Sequence, residues 1–470
     1  MTPQTNDTPM VSWPEKGETR SARWFSAVGS APPRRVIVAD DRLNADRAYR
    51  YACEGTAMLW RGDFNNARAL LQAMARRVDA KPRKSAASAA ATAPTAATGA
   101  TDPTDPTDAI DAIDATDPTD AIDATDAIDA TGPTDAIDAT DPAGAIDPAG
   151  AIDAIDATDP TPAAAMPAKT PVQPVAPGVS KDAFHLFRMA QAQRARILGM
   201  LLLPFDAGHV IPLRRAPDLH KACNEARGPC DAPYVSSMRE LLGAVGAHQW
   251  RRKGVEVAAL DDRIHPHYAV FAPVRGEYVD LVDTAPLAVT DLAFDIGTGT
   301  GVLAAVLARR GVKRVVATDN DPRALDCARD NLARLGLRKK VEVREADLFP
   351  AGRANLVVCN PPWLPGRPAT PLERAVYDPD SRMLRGFLAG LGDHLAPGGV
   401  GWLILSDLAE HLQLRTREEL LALFDAAGLK VIEKLDIRPR HPKAFDAEDP
   451  LAAARGAEVT SLWRLASADS

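Results

Sequence analysis

Residues 294–301 of this chain read FDIGTGTG, and the run VLAAVLA follows directly at residues 302–308. The short apolar run ending in glycines, followed by a segment of helical composition, indicates a strand, a tight loop and a helix. Because glycine carries no side chain, a ligand can lie directly against the loop backbone beside the helix N-terminus. The stretch therefore predicts a ligand-binding edge of a parallel α/β sheet.

The spacing of the glycines distinguishes two classes of nucleotide-binding fold. Folds that bind nicotinamide dinucleotides carry the pattern G-x-G-x-x-G. Here the glycines stand at positions 297, 299 and 301, so the third glycine comes one residue early. This spacing argues against a nicotinamide-dependent oxidoreductase, which we keep as an alternative.

Acidic residues stand where two further strands are predicted to end. The β-branched run that ends at Asp319 is followed by Asn320, and the run at residues 341–345 is followed by Asp347. The carboxyl ends of parallel strands meet at one edge of a sheet, so these acids are expected beside the glycine loop. A single aspartate at such a position is more often a helix cap or a turn residue. Three acids on successive strand ends, counting Asp295, instead favour a ligand with ribose hydroxyls and an adenine amino group.

The run Asn360–Trp363 reads NPPW and follows a predicted strand at residues 356–359. The lone pair of an amide or aryl amine is delocalised, so the nitrogen is a poor nucleophile until it is drawn toward tetrahedral geometry. The Asn360 side-chain oxygen and the Pro361 carbonyl can each accept one N–H and so direct the lone pair. Trp363 offers a face on which a flat base or amide plane can stack. An Asn-Pro-Pro run can simply end a strand, but its position at the ligand edge favours a site.

The whole block resembles the class I S-adenosylmethionine-dependent methyltransferases. Its NPPW run is similar to the N-P-P-[YFW] motif of enzymes that methylate planar nitrogens, namely nucleobase amines and the glutamine side-chain amide. Among these, the chain resembles glutamine N-methyltransferases and RNA methyltransferases with a methyltransferase small domain. Trp363 stands where the glutamine enzymes usually carry tyrosine.

The resemblance implies an α/β fold, with a Rossmann-like seven-stranded sheet and a closing antiparallel strand pair, in residues 268–470. It implies S-adenosyl-L-methionine as the cofactor. The cofactor-binding residues that it implies are Asp295, Gly297, Thr298, Gly299, Gly301, Asp319, Asn320, Asp347, Leu348 and Asn360. The catalytic residues that it implies are Asn360, Pro361, Pro362 and Trp363.

Residues 81–180 interrupt the N-terminal half with repeats of Ala, Thr, Asp, Pro and Ile, such as AIDATDAIDA at residues 121–130. So few bulky residues cannot offset the entropy of ordering, which predicts a disordered insertion that acts as a spacer. Residues 101–160 contain 17 aspartates and no Lys, Arg or Glu, and removing them from the net charge of −8 leaves +9 for the rest. That balance suits nucleic-acid binding, for example to RNA.

The remaining segments are assigned by local pattern. Residues 1–33 are predicted to be a flexible arm, and residues 34–80 and 181–267 to form one mostly helical, substrate-facing domain. Within it we predict a strand at 35–39 and two helices at 44–55 and 65–78, joined as a hairpin by the turn at 60–64. Further helices are predicted at 183–203 and 235–245. A long loop, Leu364 to Asp380, is expected over the transfer site, where Arg367, Arg374 and Tyr377 can contact substrate.

Composition limits the broad class of protein. No apolar segment is long enough to span a bilayer, and the N-terminus has no apolar signal segment, so we expect a cytoplasmic protein with no membrane partner. The five scattered cysteines fit reduced thiols, and no Cys/His set completes a metal site, including the pair His265 and His267. The motifs at the predicted ligand edge favour N-methylation of a macromolecule, either a protein glutamine or an RNA or DNA base. A non-catalytic, cofactor-binding scaffold remains the other alternative.

Overall fold

The structure is a computed structural model that describes residues 9–80, 181–287, 291–440 and 450–468. The predicted spacer at residues 81–180 lies outside the described residues, as do the first eight residues of the predicted arm. Within the described ranges, no helix is long and apolar enough to cross a membrane. Two sheets organise the molecule, one in each half of the chain.

The N-terminal half is an α/β unit in which helices pack on a six-stranded sheet. Its strands are β1 (Met10–Glu15), β2 (Glu18–Trp24), β3 (Arg35–Ala39), β4 (Thr56–Trp60), β5 (Leu201–Phe205) and β6 (Tyr234–Ser237). Its helices are α1 (Ala45–Cys53), α2 (Phe64–Asp79), α3 (Lys181–Leu198), α4 (His220–Arg227) and α5 (Met238–Lys253). The strand order is β1-β2-β6-β5-β4-β3, so segments on both sides of residues 81–180 share one sheet.

Several sequence predictions for this half are wrong. The helix predicted at residues 183–203 ends at Leu198 and its last residues belong to β5, and the helix predicted at residues 235–245 begins only after β6. The predicted arm contains the hairpin β1–β2, which pairs from Met10↔Arg23 to Glu15↔Glu18 and buries Val11. The predicted helical hairpin at residues 44–78 contains strand β4 between its two helices. Every residue of β4 is buried, so neither the period of two nor that of 3.6 was visible in its sequence. The helices predicted there are present, but they rest on a sheet of which the sequence indicated only β3.

Local chemistry accounts for the helix starts in this half. The Asp63 side chain accepts a hydrogen bond from the Asn65 backbone N–H and caps α2, and Ser237 caps α5 by accepting from Glu240. The Asp63 carboxylate also pairs with Arg214 and Arg215, at 3.1 and 2.5 Å. The run Arg61-Gly62-Asp63 therefore follows a buried strand and ends in a helix cap.

The C-terminal half contains a seven-stranded sheet. A short connecting pair, β7 (Val255–Val257) and β8 (Asp262–Ile264), leads into it. Its first part comprises α6 (Glu277–Thr284), β9 (Leu292–Ile296), α7 (Val302–Arg309), β10 (Arg314–Asp319), α8 (Pro322–Arg334), β11 (Val341–Glu345) and β12 (Ala354–Cys359). After the two-residue strands β13 (Leu364–Pro365) and β14 (Tyr377–Asp378) come α9 (Arg382–His394), β15 (Leu395–Ser406), α10 (Leu408–His411), α11 (Arg417–Ala426), β16 (Leu429–Ile437), α12 (Ala452–Ala457) and β17 (Thr460–Ser467).

The strand order β11-β10-β9-β12-β15-β17-β16 confirms the predicted methyltransferase-type sheet. The first five strands are parallel, and β17 pairs antiparallel with both β15 and β16. One apolar cluster joins α6, α7 and α8 to one face of the sheet, and a second joins α9 and α11 to the other. Such a two-sided core leaves the carboxyl edge of the parallel strands free to carry the site.

Helix α3 connects the two halves. Phe184 and Phe187 of this helix form an apolar cluster with residues of the C-terminal half, namely Leu364, Tyr377, Ala409, Leu412, Leu451 and Ala454. The Arg188 guanidinium lies 4.1 Å from the centroid of the Tyr377 ring and donates to the Arg367 carbonyl at 2.9 Å. The N-terminal half therefore holds the loop that follows the NPPW run.

Candidate active site

The glycine loop between β9 and α7 has the left-handed backbone that only glycine adopts without strain. The φ angles of Gly297, Gly299 and Gly301 are 71°, 54° and 81°. The loop is closed by a hydrogen bond from the Thr298 N–H to the Thr318 carbonyl at 2.8 Å. Gly301 faces α8, where an added Cβ would approach the Ala328 backbone to 3.2 Å. Gly299 instead faces open space in the cavity, and Gly297 faces the Met383 side chain at the cavity wall.

Asp295 lies behind this loop and holds its shape. The side chain is 1% exposed, and its Oδ2 accepts from the Thr298 hydroxyl at 2.6 Å and from the Ala304 N–H at 3.1 Å. Burial raises the pKa of this carboxyl to about 6. Asp295 is not among the residues that line the cavity. Its two hydrogen bonds therefore stabilise the loop from the side that faces away from the cavity.

Asp319, at the end of β10, faces the cavity. Its Oδ2 accepts from the Gly299 N–H at 3.0 Å and its Oδ1 from the Asp321 N–H at 3.0 Å. Burial raises the pKa of this carboxyl above its ordinary value, while hydrogen bonds from backbone N–H groups lower it. Each carboxylate oxygen has two acceptor positions, so each keeps one for a ligand hydroxyl.

Asp347 and Leu348 form the next part of the edge. The exposed Asp347 carboxylate accepts from the Arg382 guanidinium at 2.8 Å. Leu348 has a φ of 78°, and its carbonyl accepts from the Thr318 hydroxyl at 2.6 Å. Both residues line the same cavity as Asp319 and Asn320. The carboxyl ends of β9, β10 and β11 therefore bring their polar groups together, as the sequence analysis expected.

The NPPW run continues the edge from β12. Strand β12 pairs in parallel with β9, with Cys359 opposite Ile296, so Asn360 emerges beside the glycine loop. All four residues of the run, Asn360, Pro361, Pro362 and Trp363, line the cavity. The Trp363 indole N–H donates to Asn360 Oδ1 at 2.8 Å. The Trp363 ring is half-buried and packs against both apolar clusters of the sheet.

Comparison of the sequence with known protein families supports the interpretation of this cavity as a cofactor site. Residues 280–419 match the model of the family described as "Methyltransferase small domain". The C-terminal half is an S-adenosylmethionine-dependent methyltransferase domain. The match removes the nicotinamide-dependent alternative that the glycine spacing had already disfavoured.

Individual relatives of the methyltransferase domain modify proteins, as their names state. A release factor glutamine methyltransferase of Cereibacter sphaeroides is 35% identical over 130 residues, covering 27% of this chain and 43% of the relative. A ribosomal protein L11 methyltransferase of Sorangium cellulosum is 28% identical, covering 46% and 68%. A putative protein N5-glutamine methyltransferase of Methanocaldococcus jannaschii is 28% identical, covering 33% and 80%. The chain thus spans less than half the length of the first of these relatives.

The residues of the methyltransferase domain fit S-adenosyl-L-methionine. The cavity of about 860 Å³ reaches from Asp347 past the glycine loop to Trp363. It offers bare loop backbone at Gly297 and Gly299, and at Asp319 an acceptor on each carboxylate oxygen for the two hydroxyls of a ribose. The methionine part of the cofactor would then lie toward Asn360, beside the acceptor.

The opposite wall of the cavity was not anticipated from the sequence. It includes Phe184, Phe187 and Gln191 of α3, together with Leu451 and Arg455 from the connection between β16 and β17. The apolar stripe on α3 was visible in the sequence, but its spacing does not reveal the surface on which it packs. This wall therefore depends on contacts between α3, the β16–β17 connection and the strand edge, which are far apart in the chain.

The loop residues named in the sequence analysis have different surroundings. Arg374 is exposed and lines the cavity. Tyr377 also lines it, but it is 3% exposed and lies under Arg188.

The two histidines considered as metal ligands have other partners. His267 contacts Asp330 at 3.0 Å, and His265 contacts the Arg251 carbonyl at 2.6 Å. Across the described ranges, no group of three or more His, Cys, Asp or Glu side chains is placed to hold a metal ion.

Proposed function

We propose that the protein transfers a methyl group from S-adenosyl-L-methionine to a planar nitrogen of a macromolecule, and that this nitrogen is the side-chain amide of a protein glutamine. The observation that carries the proposal is the position of Asn360 and Pro361 on the wall of the cofactor cavity, directly beside the glycine loop. Two of the relatives described above are named as glutamine methyltransferases, which supports the choice of acceptor.

The two acceptor groups of the NPPW run perform the main chemical task. Asn360 Oδ1 and the Pro361 carbonyl each accept one N–H of the acceptor nitrogen, which weakens its conjugation and directs its lone pair. When bound, the cofactor supplies a methyl group on a sulfonium, which leaves as a neutral thioether. The nitrogen gains the methyl group and loses one proton to solvent. No strong general base is required, and positioning alone can supply roughly 7–11 kcal/mol of the barrier.

The remaining edge residues hold the cofactor. Asp319 accepts from the ribose hydroxyls, and Asp347 and Leu348 lie where the adenine ring would be held. The exposed Asp347–Arg382 pair lies at the cavity wall, where the Asp347 carboxylate can also accept from the adenine amino group. Met383 packs directly against Gly297, whereas a Cβ added at Gly299 would meet nothing within 4 Å, so the amino-acid part of the cofactor would lie beside Gly299.

A macromolecular acceptor would enter from the side formed by α3 and the loop after Trp363. On this side the largely buried Phe184 and Phe187 line the cavity wall, and Arg374 is exposed. An extended peptide can insert one glutamine side chain between these groups while its backbone stays outside. A single flipped base can enter the same opening, which makes RNA or DNA the competing acceptor.

The deciding experiment uses tritiated S-adenosyl-L-methionine and lysate of a strain that lacks the gene. Purified protein is added, and the labelled product is divided between protease and RNase digestion. Loss of macromolecular label with protease, and recovery of methylglutamine after hydrolysis, is the expected result. Loss with RNase instead would assign a base amine.

The control is Asn360→Ala, which should bind the cofactor and transfer label only at a small residual rate. A wild-type protein that binds the cofactor and labels nothing in any lysate fraction would point to a non-catalytic scaffold. Full transfer by Asn360→Ala would overturn the proposed mechanism while leaving methyl transfer itself in place.

A further inference from the structure

The hydrogen bond between Trp363 and Asn360 joins the two ends of the NPPW run. The indole Nε1–H donates to Asn360 Oδ1 at 2.8 Å, and both side chains are half-buried at the cavity wall. The indole ring also packs on the apolar clusters of both sheet faces. Its N–H edge is therefore held in place by the core of the domain.

A donor in this position selects one of the two orientations of the Asn360 amide. The amide carries an acceptor oxygen and a donor NH₂ group, which exchange places when the group rotates by half a turn. In the rotated orientation, the indole N–H would face the NH₂ group, and two donors would meet. The orientation with the oxygen toward Trp363 is therefore strongly favoured.

This orientation is the one that the proposed chemistry requires. A carbonyl oxygen has two acceptor positions. The indole occupies one, and the second remains available for an N–H of the acceptor nitrogen. If the amide rotated, the NH₂ group would meet the acceptor's own N–H and could not direct its lone pair.

We propose that Trp363 is a positioning residue that acts through Asn360, keeping the amide oxygen directed at the acceptor nitrogen. This inference rests on the proposed function and deepens it. It differs from the stacking role that the sequence suggested, because stacking needs only the ring face, whereas orientation needs the N–H. Phenylalanine, which has no polar hydrogen, would preserve stacking and remove orientation.

The first test needs no acceptor. The chain has seven tryptophans, so a ¹H–¹⁵N correlation spectrum of the full protein shows one indole signal for each. The signal lost in Trp363→Phe identifies Trp363. In Asn360→Ala this signal should move upfield, because its hydrogen-bond acceptor is gone. An unchanged signal would show that the hydrogen bond is not formed in solution, and would overturn the proposal.

The second test is a double-mutant cycle on methyl transfer. Trp363→Phe should lower kcat by about tenfold, which corresponds to one neutral hydrogen bond, with an unchanged Kd for the cofactor. In the Asn360→Ala background, Trp363→Phe should cause no further loss, because the indole has nothing left to orient. An equal additional loss in that background would mean that the ring contacts the acceptor directly, and would overturn the proposal.

Replacing Trp363 with 3-benzothienylalanine is the control for misfolding of the Trp363→Phe variant. This analogue keeps the size and shape of the indole and substitutes sulfur for the N–H. It should show the same reduced kcat as Trp363→Phe, while wild-type kcat would overturn the proposal. If the wild-type protein transfers no methyl group at all, the proposed function fails, and the indole signal still decides whether the orientation holds.

Discussion

At the scale of single residues, the site depends on two carboxylates with different surroundings. Asp295 is enclosed behind the glycine loop, and burial raises its pKa to about 6. Asp319 lies at the cavity wall and receives two backbone hydrogen bonds. Both residues lie at the carboxyl end of a strand, yet only Asp319 lines the cavity.

The raised pKa of Asp295 predicts a pH-dependent stability. In the unfolded chain an aspartate ionises near pH 3.9, so between about pH 4 and pH 6 the folded state holds a proton that the unfolded state has lost. Stability therefore falls as the pH rises through this window, by up to about 3 kcal/mol for this group. Urea unfolding of wild type and Asp295→Asn at several pH values measures this slope. The slope should be smaller in the variant, and parallel curves would contradict the assignment.

Asp319 is predicted to determine cofactor affinity. In Asp319→Ala two charge-assisted hydrogen bonds to the ribose are lost, and the Kd of S-adenosyl-L-methionine should rise by about 100-fold or more. Isothermal titration calorimetry measures the change. Asn360→Ala is the matched control and should bind almost as tightly as wild type. A wild-type Kd in Asp319→Ala would place the ribose elsewhere.

At the scale of elements, helix α3 matters because it reaches from the N-terminal sheet to the methyltransferase domain. Phe184 and Phe187 fill the apolar cluster beneath the loop that follows Trp363. Arg188 adds a contact with the Tyr377 ring and a hydrogen bond to the Arg367 carbonyl. The parallel bridge between β13 and β14 closes the base of the same loop. The helix therefore helps to set the shape of the acceptor side.

Removing the Arg188 contact should loosen the loop without affecting the cofactor. Arg188→Ala loses a cation–π contact of about 0.5–2 kcal/mol, so we expect faster proteolysis between Leu364 and Asp378 and a several-fold higher KM for the acceptor. Cofactor affinity should not change. The matched control is Arg196→Ala on the same helix, where the guanidinium bonds to Gln193. Equal proteolysis in both variants would argue against a specific role for Arg188.

At the scale of the whole molecule, two α/β units with separate cores share one cavity. The chain leaves the N-terminal sheet after α2 and returns at α3, and the two helices are joined by an Asp79–Arg194 ion pair at 2.9 Å. Arg194 lies well inside α3, so this contact joins the end of α2 to the middle of α3. The six strands that the structure describes in the N-terminal sheet come from residues on both sides of the long Ala/Asp/Thr/Pro segment.

Deleting residues 85–178 is predicted to leave folding and methyl transfer largely intact. The segment is composed mostly of small residues and aspartates, so it has little apolar surface with which to stabilise either core. The melting temperature, the Kd of the cofactor and the rate of methyl transfer should all stay near the wild-type values. A large loss in any of them would show that the segment does more than separate two helices.

The methyltransferase domain was largely predictable, whereas the N-terminal half was not. Strands such as β9 and β10 end in glycines or an acid that mark both the element and the ligand edge. Strand β4 is buried throughout and lies between two helices, so its five residues carried no period that distinguishes a strand from a helix. The hairpin β1–β2 was missed because β2 is mostly polar and exposed on both faces, as in a loop.

The sequence by itself determined the sheet of the methyltransferase domain and the residues at its carboxyl edge. In a parallel sheet, strand ends necessarily meet, so a local motif also defines a position in space. Only the tertiary structure decided which edge residues face the cavity, that Trp363 donates to Asn360, and that α3 supplies the opposite wall. These relations depend on how side chains pack across long separations in the chain, and periodicity along one element carries no information about its partner.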